Sequence, residues 1–197
     1  MLPKEMSNSQ PQKANPLKVN DELFAVARSV RYHAKREAFF QTLDQWSKII
    51  SVTLSLGVVG DLLNGSPKFS LWLAAGVAAV GVIDLVKGFG AMSKRHLELG
   101  QQFISLNQDY VRLGDDITEM QFRDLCARRL EIEKREPPIL KTLNRICHNE
   151  ECHVRKQDEY GYPLKWYVRR SAHFCNWFFN EEAKTRKQLK ELNANPA

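Results

Sequence analysis

From Asp21 onward, apolar residues recur at three- and four-residue steps: Leu23, Ala27, Val30, Ala34 and Ala38, then Phe39, Leu43 and Trp46. That spacing puts them on one face of a helix. Asn20 and Asp21 offer capping oxygens at its start, and no Gly or Pro interrupts residues 21–56, so the helix is expected to run straight into an apolar segment at 46–63. Asn64-Gly65-Ser66-Pro67 is a helix stop and turn signal, and a second apolar segment follows at 69–86. Gly88 and Gly90 are expected to kink the second helix as it leaves the apolar zone. Beyond them Leu97, Gly100, Ile104 and Val111, with Leu99, Phe103, Leu106 and Tyr110, carry a helical period up to Gly114-Asp115-Asp116. Thr118 with Gln121 matches a capping box opening another helix, which Pro137-Pro138 must stop. A further helix is expected over 139–148, a turn at Gly161-Tyr162-Pro163, and helix again from Trp166 to Leu192.

The expected fold class is all-α: a two-helix transmembrane hairpin continuous with long cytoplasmic helices that form a helical bundle. It divides into a disordered tail (1–20), a juxtamembrane helix (21–45), the hairpin (46–86, spans 46–63 and 69–86), a cytoplasmic helical region (87–150) and a C-terminal helical extension (151–197). Residues 1–20 carry three prolines and few large apolar side chains, too little to order themselves.

Each apolar segment, 18 residues long, makes about 27 Å of helix, close to the ~30 Å of a bilayer core. Between Ile49 and Ile83 the only charges are Asp61 and Lys68. Both segments are apolar on all faces, whereas a helix of a soluble bundle keeps a polar stripe. A buried hairpin is the alternative, since the strictly uncharged runs are short. The flanks favour the membrane. Arg28, Arg31, Lys35, Arg36 and Lys48 precede the pair and Lys87, Lys94 and Arg95 follow it, against Lys68 alone in the loop. That is the positive-inside pattern, which places both termini of a multi-pass protein in the cytoplasm.

Overall composition conceals this segregation: 26% of residues are charged and the formal net charge is +6. The basic excess suits an acidic partner without choosing among nucleotide, nucleic acid and anionic lipid. Residues 1–20 contain no apolar signal core, so the four cysteines are expected to be reduced thiols.

Candidate chemistry is sparse. No phosphate loop or catalytic motif is present, and neither enzyme activity nor a cofactor is expected. Cys147, His148, Cys152 and His153 are a weak metal candidate, because on a helix only His148 and Cys152 share a face. Lys165, Trp166, Tyr167, Arg169 and Arg170 could bind a nucleotide, the cations taking phosphate and the aromatics stacking on a base. The same stretch also reads as a packing helix, with Trp166, Phe174, Trp177 and Phe178 inward, or as a lipid-surface helix. Arg128, Arg129, Lys134 and Arg135 are balanced by Glu131, Glu133 and Glu136 and read as a salt-bridged face. Asp84 and Asp61 are candidates for an ion pathway; for Asp84 the alternative is a carboxylate at the interface paired with Lys87 or Lys48. Gly57, Gly60, Ala75 and Ala79 permit close helix packing, within the hairpin or between copies. His33 and His96 are placed to meet near the inner face of the membrane.

RYHAKREAFFQTLDQWSK (31–48), the hairpin, DLVKGFGAMSKRHLELGQQFISL (84–106), RRLEIEKREPP (128–138) and LKTLNRICHNE (140–150) together resemble the SLATT domain. That name denotes two-transmembrane effectors found beside SMODS nucleotidyltransferases and SLOG proteins in bacterial conflict systems. The resemblance rests on Arg36-Glu37, His96 with the following LELGQQF, and Glu136-Pro137-Pro138 with Asn149-Glu150, in that order around the hairpin; it covers 21–150. It implies a homo-oligomeric channel or pore of antiphage defence, a tetramer among the candidate states. A nucleotide or oligonucleotide from a partner nucleotidyltransferase would control it. Two other readings stand beside it: a membrane-disrupting toxin restrained by a protein partner, and a non-conducting helical membrane adaptor.

Overall fold

The computed structural model describes residues 12–64, 69–174 and 184–194. Among them the only β pairing is an isolated bridge between Lys13 and Thr118, and the protein is all-α. The helices are α1 (Pro16–Leu63), α2 (Ser70–Lys87), α3 (Phe89–Leu113), α4 (Glu119–Glu133), α5 (Lys141–Val154), α6 (Trp166–Arg170) and α7 (Arg186–Ala194), with 3-10 turns at Gly114–Asp116 and Asp158–Tyr160. The chain divides into two compact units, residues 33–98 and residues 1–32 with 99–197.

In the first of these units, α1 continues unbroken through the apolar segment, past Gly57 and Gly60; no Gly or Pro interrupts it before them. The turn after it, residues 65–68, lies outside the described residues. Asp61 closes the hairpin: its Oδ2 accepts the backbone N–H of Phe69 at 3.2 Å and of Ser70 at 2.7 Å. Those are orphan donors at the start of α2, which lacks a side-chain cap of its own. The two helices are in close contact where a Cβ on Gly57 would stand 3.1 Å from Leu73, and one on Gly76 3.2 Å from Leu54. Gly60 faces open space, and Ala75 and Ala79 are exposed. Gly57 and Gly76 therefore stand at the hairpin's internal contact.

The expected break after the hairpin occurs at Gly88, whose φ of 59° puts it in the left-handed region while its N–H closes onto the Asp84 carbonyl. Gly90 continues into α3, where its backbone lies against the Asp44 carboxylate. Behind it, α1 and α3 bury a histidine pair. His33 Nδ1 and His96 Nδ1 are 3.0 Å apart, one donating and the other accepting. Phe40 stacks on His96 at 5.6 Å, and Arg36 covers the Phe40 ring at 4.4 Å. The Ser93 hydroxyl donates to the Glu37 carbonyl beside them.

The other unit holds the larger core. Val26 of α1, Leu99, Phe103, Leu106 and Tyr110 of α3, and Phe122, Leu125 and Ile132 of α4 pack together. Of the residues of helical period on α3, packing selects the face of Leu99 and Phe103; Leu97, Ile104 and Val111 remain exposed. Arg129 joins α4 to α1 through Glu22 at 2.7 Å and pairs with Glu133 at 2.6 Å. A smaller cluster gathers Tyr32, Leu143, Cys147 and Ala172, with the Tyr32 hydroxyl accepting the Leu140 N–H at 3.0 Å.

Three boundaries differ from the expectation. The disordered tail does not extend to residue 20: α1 begins at Pro16, where Asn15 Oδ1 accepts the Leu17 N–H and proline sits pre-organised in the first turn. Ala14 is buried and hydrogen-bonds Ile117, an anchorage that depends on a partner 103 residues away and so leaves no local periodicity. Residues 1–11 lie outside the described residues. The helix expected over 139–148 instead spans Lys141–Val154. The helix expected from Trp166 to Leu192 stops at Arg170, where the chain turns through Ser171–Phe174 before α7; residues 175–183, with Cys175, Trp177 and Phe178, lie outside the described residues.

The capping box is complete. The Gln121 N–H reaches Thr118 Oγ1 at 3.3 Å, and Gln121 Oε1 accepts the Thr118 N–H at 3.0 Å. Thr118→Ala is expected to destabilise the start of α4 by about 1 kcal/mol, read as faster amide exchange at 119–122 with little change in α5.

Candidate functional site

A cavity of about 640 Å³ lies within the unit of residues 1–32 and 99–197. Ile146, Asn149, Glu150, His153 and Val154 of α5 form one side, with Arg31 of α1 beside them. Asp158, Gly161 and Leu164 of the following loop, Arg169 of α6 and Arg186 of α7 complete the lining.

The local sequence explains why the loop folds back over α5. Asn149 clamps Tyr162 at both backbone groups, Nδ2 donating to its carbonyl at 2.8 Å and Oδ1 accepting its N–H at 2.7 Å. A side chain at 161 would crowd this clamp, since a Cβ there would stand 3.3 Å from Asn149 Oδ1 and 3.2 Å from the Asp158 carbonyl. His153 Nδ1 lies 3.1 Å from Asp158 Oδ1, tying the end of α5 to the 3-10 turn. Arg186 fastens α7 to the same loop, its N–H reaching the Gly161 carbonyl at 2.9 Å and its guanidinium the Asp158 carbonyl at 3.3 Å.

Charge is distributed unevenly around the cavity. Glu151, only 4% exposed, is held by two guanidiniums, Arg31 Nε at 3.0 Å and Arg155 Nε at 2.7 Å. A buried carboxylate requires such partners, and in return it cancels charge on Arg31. Arg186 donates to a carbonyl, which carries no net charge. Arg169 is exposed, and among the described residues no carboxylate pairs with it. Among the described residues two guanidiniums therefore stand at the rim without an ion pair, while Glu150 and Asp158, the latter beside His153, bring negative charge to the same lining.

The expected site residues distribute as follows. Of Lys165, Trp166, Tyr167, Arg169 and Arg170, Arg169 lines the cavity. Trp166 is 77% exposed and meets Tyr167 edge-on at 6.1 Å, Lys165 lies 5.9 Å from the Tyr167 ring centre, Arg170 is exposed, and Val168 turns inward. The cavity's remaining polar residues are Arg31, Asn149, Glu150, His153, Asp158 and Arg186, drawn from distant parts of the chain. Arg31 reads in sequence as a topology signal, and its distance in the chain from α5, Arg169 and Arg186 leaves no single motif to find.

The Cys/His cluster does not converge. Cys147 is buried in the apolar cluster around Leu143. Burial, followed by the nearby Asp158 and Glu151 charges, pushes the Cys152 thiol up, away from the thiolate a metal needs. His148 packs edge-on to Phe24, with Nε2 3.3 Å from the Tyr160 carbonyl; burial lowers its pKa despite that contact. Among the described residues no three His, Cys, Asp or Glu side chains stand together as a metal site. Asp61 is engaged in capping α2, and Asp84 lies within electrostatic reach of Lys48. The chain matches no family model, no curated protein and no solved structure.

Proposed function

We propose that this protein is a homo-oligomeric channel of the bacterial inner membrane that acts as an antiphage effector and is controlled by a nucleotide or oligonucleotide signal. The observation that carries the reading is the bare apolar surface of the hairpin. Two helices are long and apolar enough to cross a membrane, and none of either 18-residue apolar window is buried. Leu56, Leu62, Leu71, Val82 and Leu85 all point outward. Such a surface requires hydrocarbon or another copy of itself to cover it. Trp46 and Trp72, both exposed, suit the two interfaces.

Two helices enclose no water path, so conduction requires several copies. The small residues unused within the hairpin, Gly60, Ala75, Ala79 and Gly81, suit contacts between them. The role in defence and the nucleotide signal rest on the resemblance to SLATT proteins. The experiment is single-channel recording of purified full-length protein in planar bilayers. Discrete currents are expected; purified oligomer that inserts and carries none overturns the channel.

A second reading, a non-conducting membrane-anchored adaptor, is favoured by one carboxylate. Asp61 is committed to capping α2 and so is not set aside for an ion, while Lys48 pairs with Asp44 and Asp84 acts on it only through a weaker charge interaction. Asp84→Asn separates the two readings: a channel whose inner mouth Asp84 lines changes cation selectivity, whereas an adaptor has no current to alter.

A further inference from the structure

We infer that the cavity between α5, the loop after it, α6 and α7 binds a phosphorylated small molecule of nucleotide size, with Arg169 and Arg186 holding the phosphate. The inference deepens the nucleotide control proposed above and rests on that reading for its choice of a nucleotide among phosphorylated compounds.

Volume comes first. At about 640 Å³ the space lies within the ~300–1,000 Å³ usual for small-ligand pockets and far exceeds what a lone phosphate fills. Charge comes next. Arg31 is occupied by Glu151, and Glu150 and Asp158 share the lining, but among the described residues no carboxylate forms an ion pair with Arg169 or Arg186, and guanidiniums present the paired donors that match phosphate oxygens. The apolar part of the lining, Ile146, Val154 and Leu164, suits the face of a planar ring.

The site also couples to the rest of the protein by covalent continuity. Its Arg31 lies on α1, the same unbroken helix that carries the first apolar segment. Phosphate drawn to Arg169 and Arg186 competes with Glu151 for Arg31, which gives a bound anion a way to act on α1.

The test is calorimetric titration of the full-length protein, purified in detergent, with ATP, cyclic di-AMP, adenosine and inorganic phosphate. At least one of the two nucleotides is expected to bind, at least tenfold more tightly than adenosine or phosphate alone. Arg169→Glu and Arg186→Glu are each expected to weaken it about ten- to hundredfold. Lys94→Glu, outside the cavity, should leave it unchanged, and circular dichroism of each variant controls for folding. Absence of binding by both nucleotides at millimolar concentration, or binding that survives both charge reversals in folded protein, overturns the inference. Because calorimetry needs no current, binding without conductance removes the channel alone, and conductance without binding removes this site alone.

Discussion

A chain carrying Leu56→Arg and Ala79→Arg is expected to leave the integral-membrane fraction. Each position lies near the middle of its apolar segment and points outward, Leu56 at 68% exposure. Neither substitution therefore disturbs the Gly57–Leu73 or Leu54–Gly76 contacts that hold the hairpin together. Arginine at the centre of a spanning helix costs roughly 2.5–3.5 kcal/mol on insertion scales, so the pair removes about 5–7 kcal/mol from insertion. The measurement is alkaline carbonate extraction of membranes from cells expressing each form. Wild-type protein should stay in the pellet and the double variant should be released or degraded. Wild-type protein extracted as readily as a soluble control would return the hairpin to the alternative of a covered core.

The second large effect concerns acid. His96 is 1% exposed, and its pKa is lowered to about 4, first by burial and then by the neighbouring His33, Arg36 and Arg95. The unfolded chain takes up that proton near pH 6.5, so the folded state binds fewer protons over the interval between. Stability is full above pH 6.5 and falls as the pH is lowered towards 4, by roughly 3 kcal/mol in all. Protonation also makes His96 Nδ1 a donor, so the 3.0 Å contact then requires His33 Nδ1 to be the acceptor. Amide exchange of residues flanking His96, followed from pH 7 to pH 4 in detergent, should report the loss. His96→Phe, which keeps a ring against Phe40 but cannot titrate, should flatten the profile. An equal acid slope in that variant would assign the sensitivity elsewhere.

Legibility differed sharply between these features. The hairpin, the Gly88 break and the Thr118–Gln121 cap were readable because each depends on neighbours within a few positions, and hydrophobic run, glycine and capping pattern are local signals. The meeting of His33 and His96 was readable for a different reason: they flank the hairpin, so the antiparallel return of the chain brings them together. The start of α1 was not, because Ala14 is held by Ile117 across more than a hundred residues. Nor was the end of α6, since aromatic and basic residues from Trp166 onward satisfy a helical pattern whether or not the chain continues as helix. Asp61 shows the limit most plainly. Its position at the outer hairpin end left its role open between ion path and plain interfacial carboxylate, while its geometry gives it two backbone N–H groups of the next helix.

Local chemistry along the chain determined that this protein is helical, that two of its segments are too apolar for water on any face, and where positive charge gathers around them. Those properties add up residue by residue and survive any rearrangement of the helices. Tertiary structure alone decided which face of α3 is core, that Glu151 is shared by Arg31 and Arg155, and that Arg31, Asn149, Arg169 and Arg186 surround one cavity. The reason is physical: burial, ion pairing and cavity shape depend on distances between residues remote in sequence, and no local pattern records them.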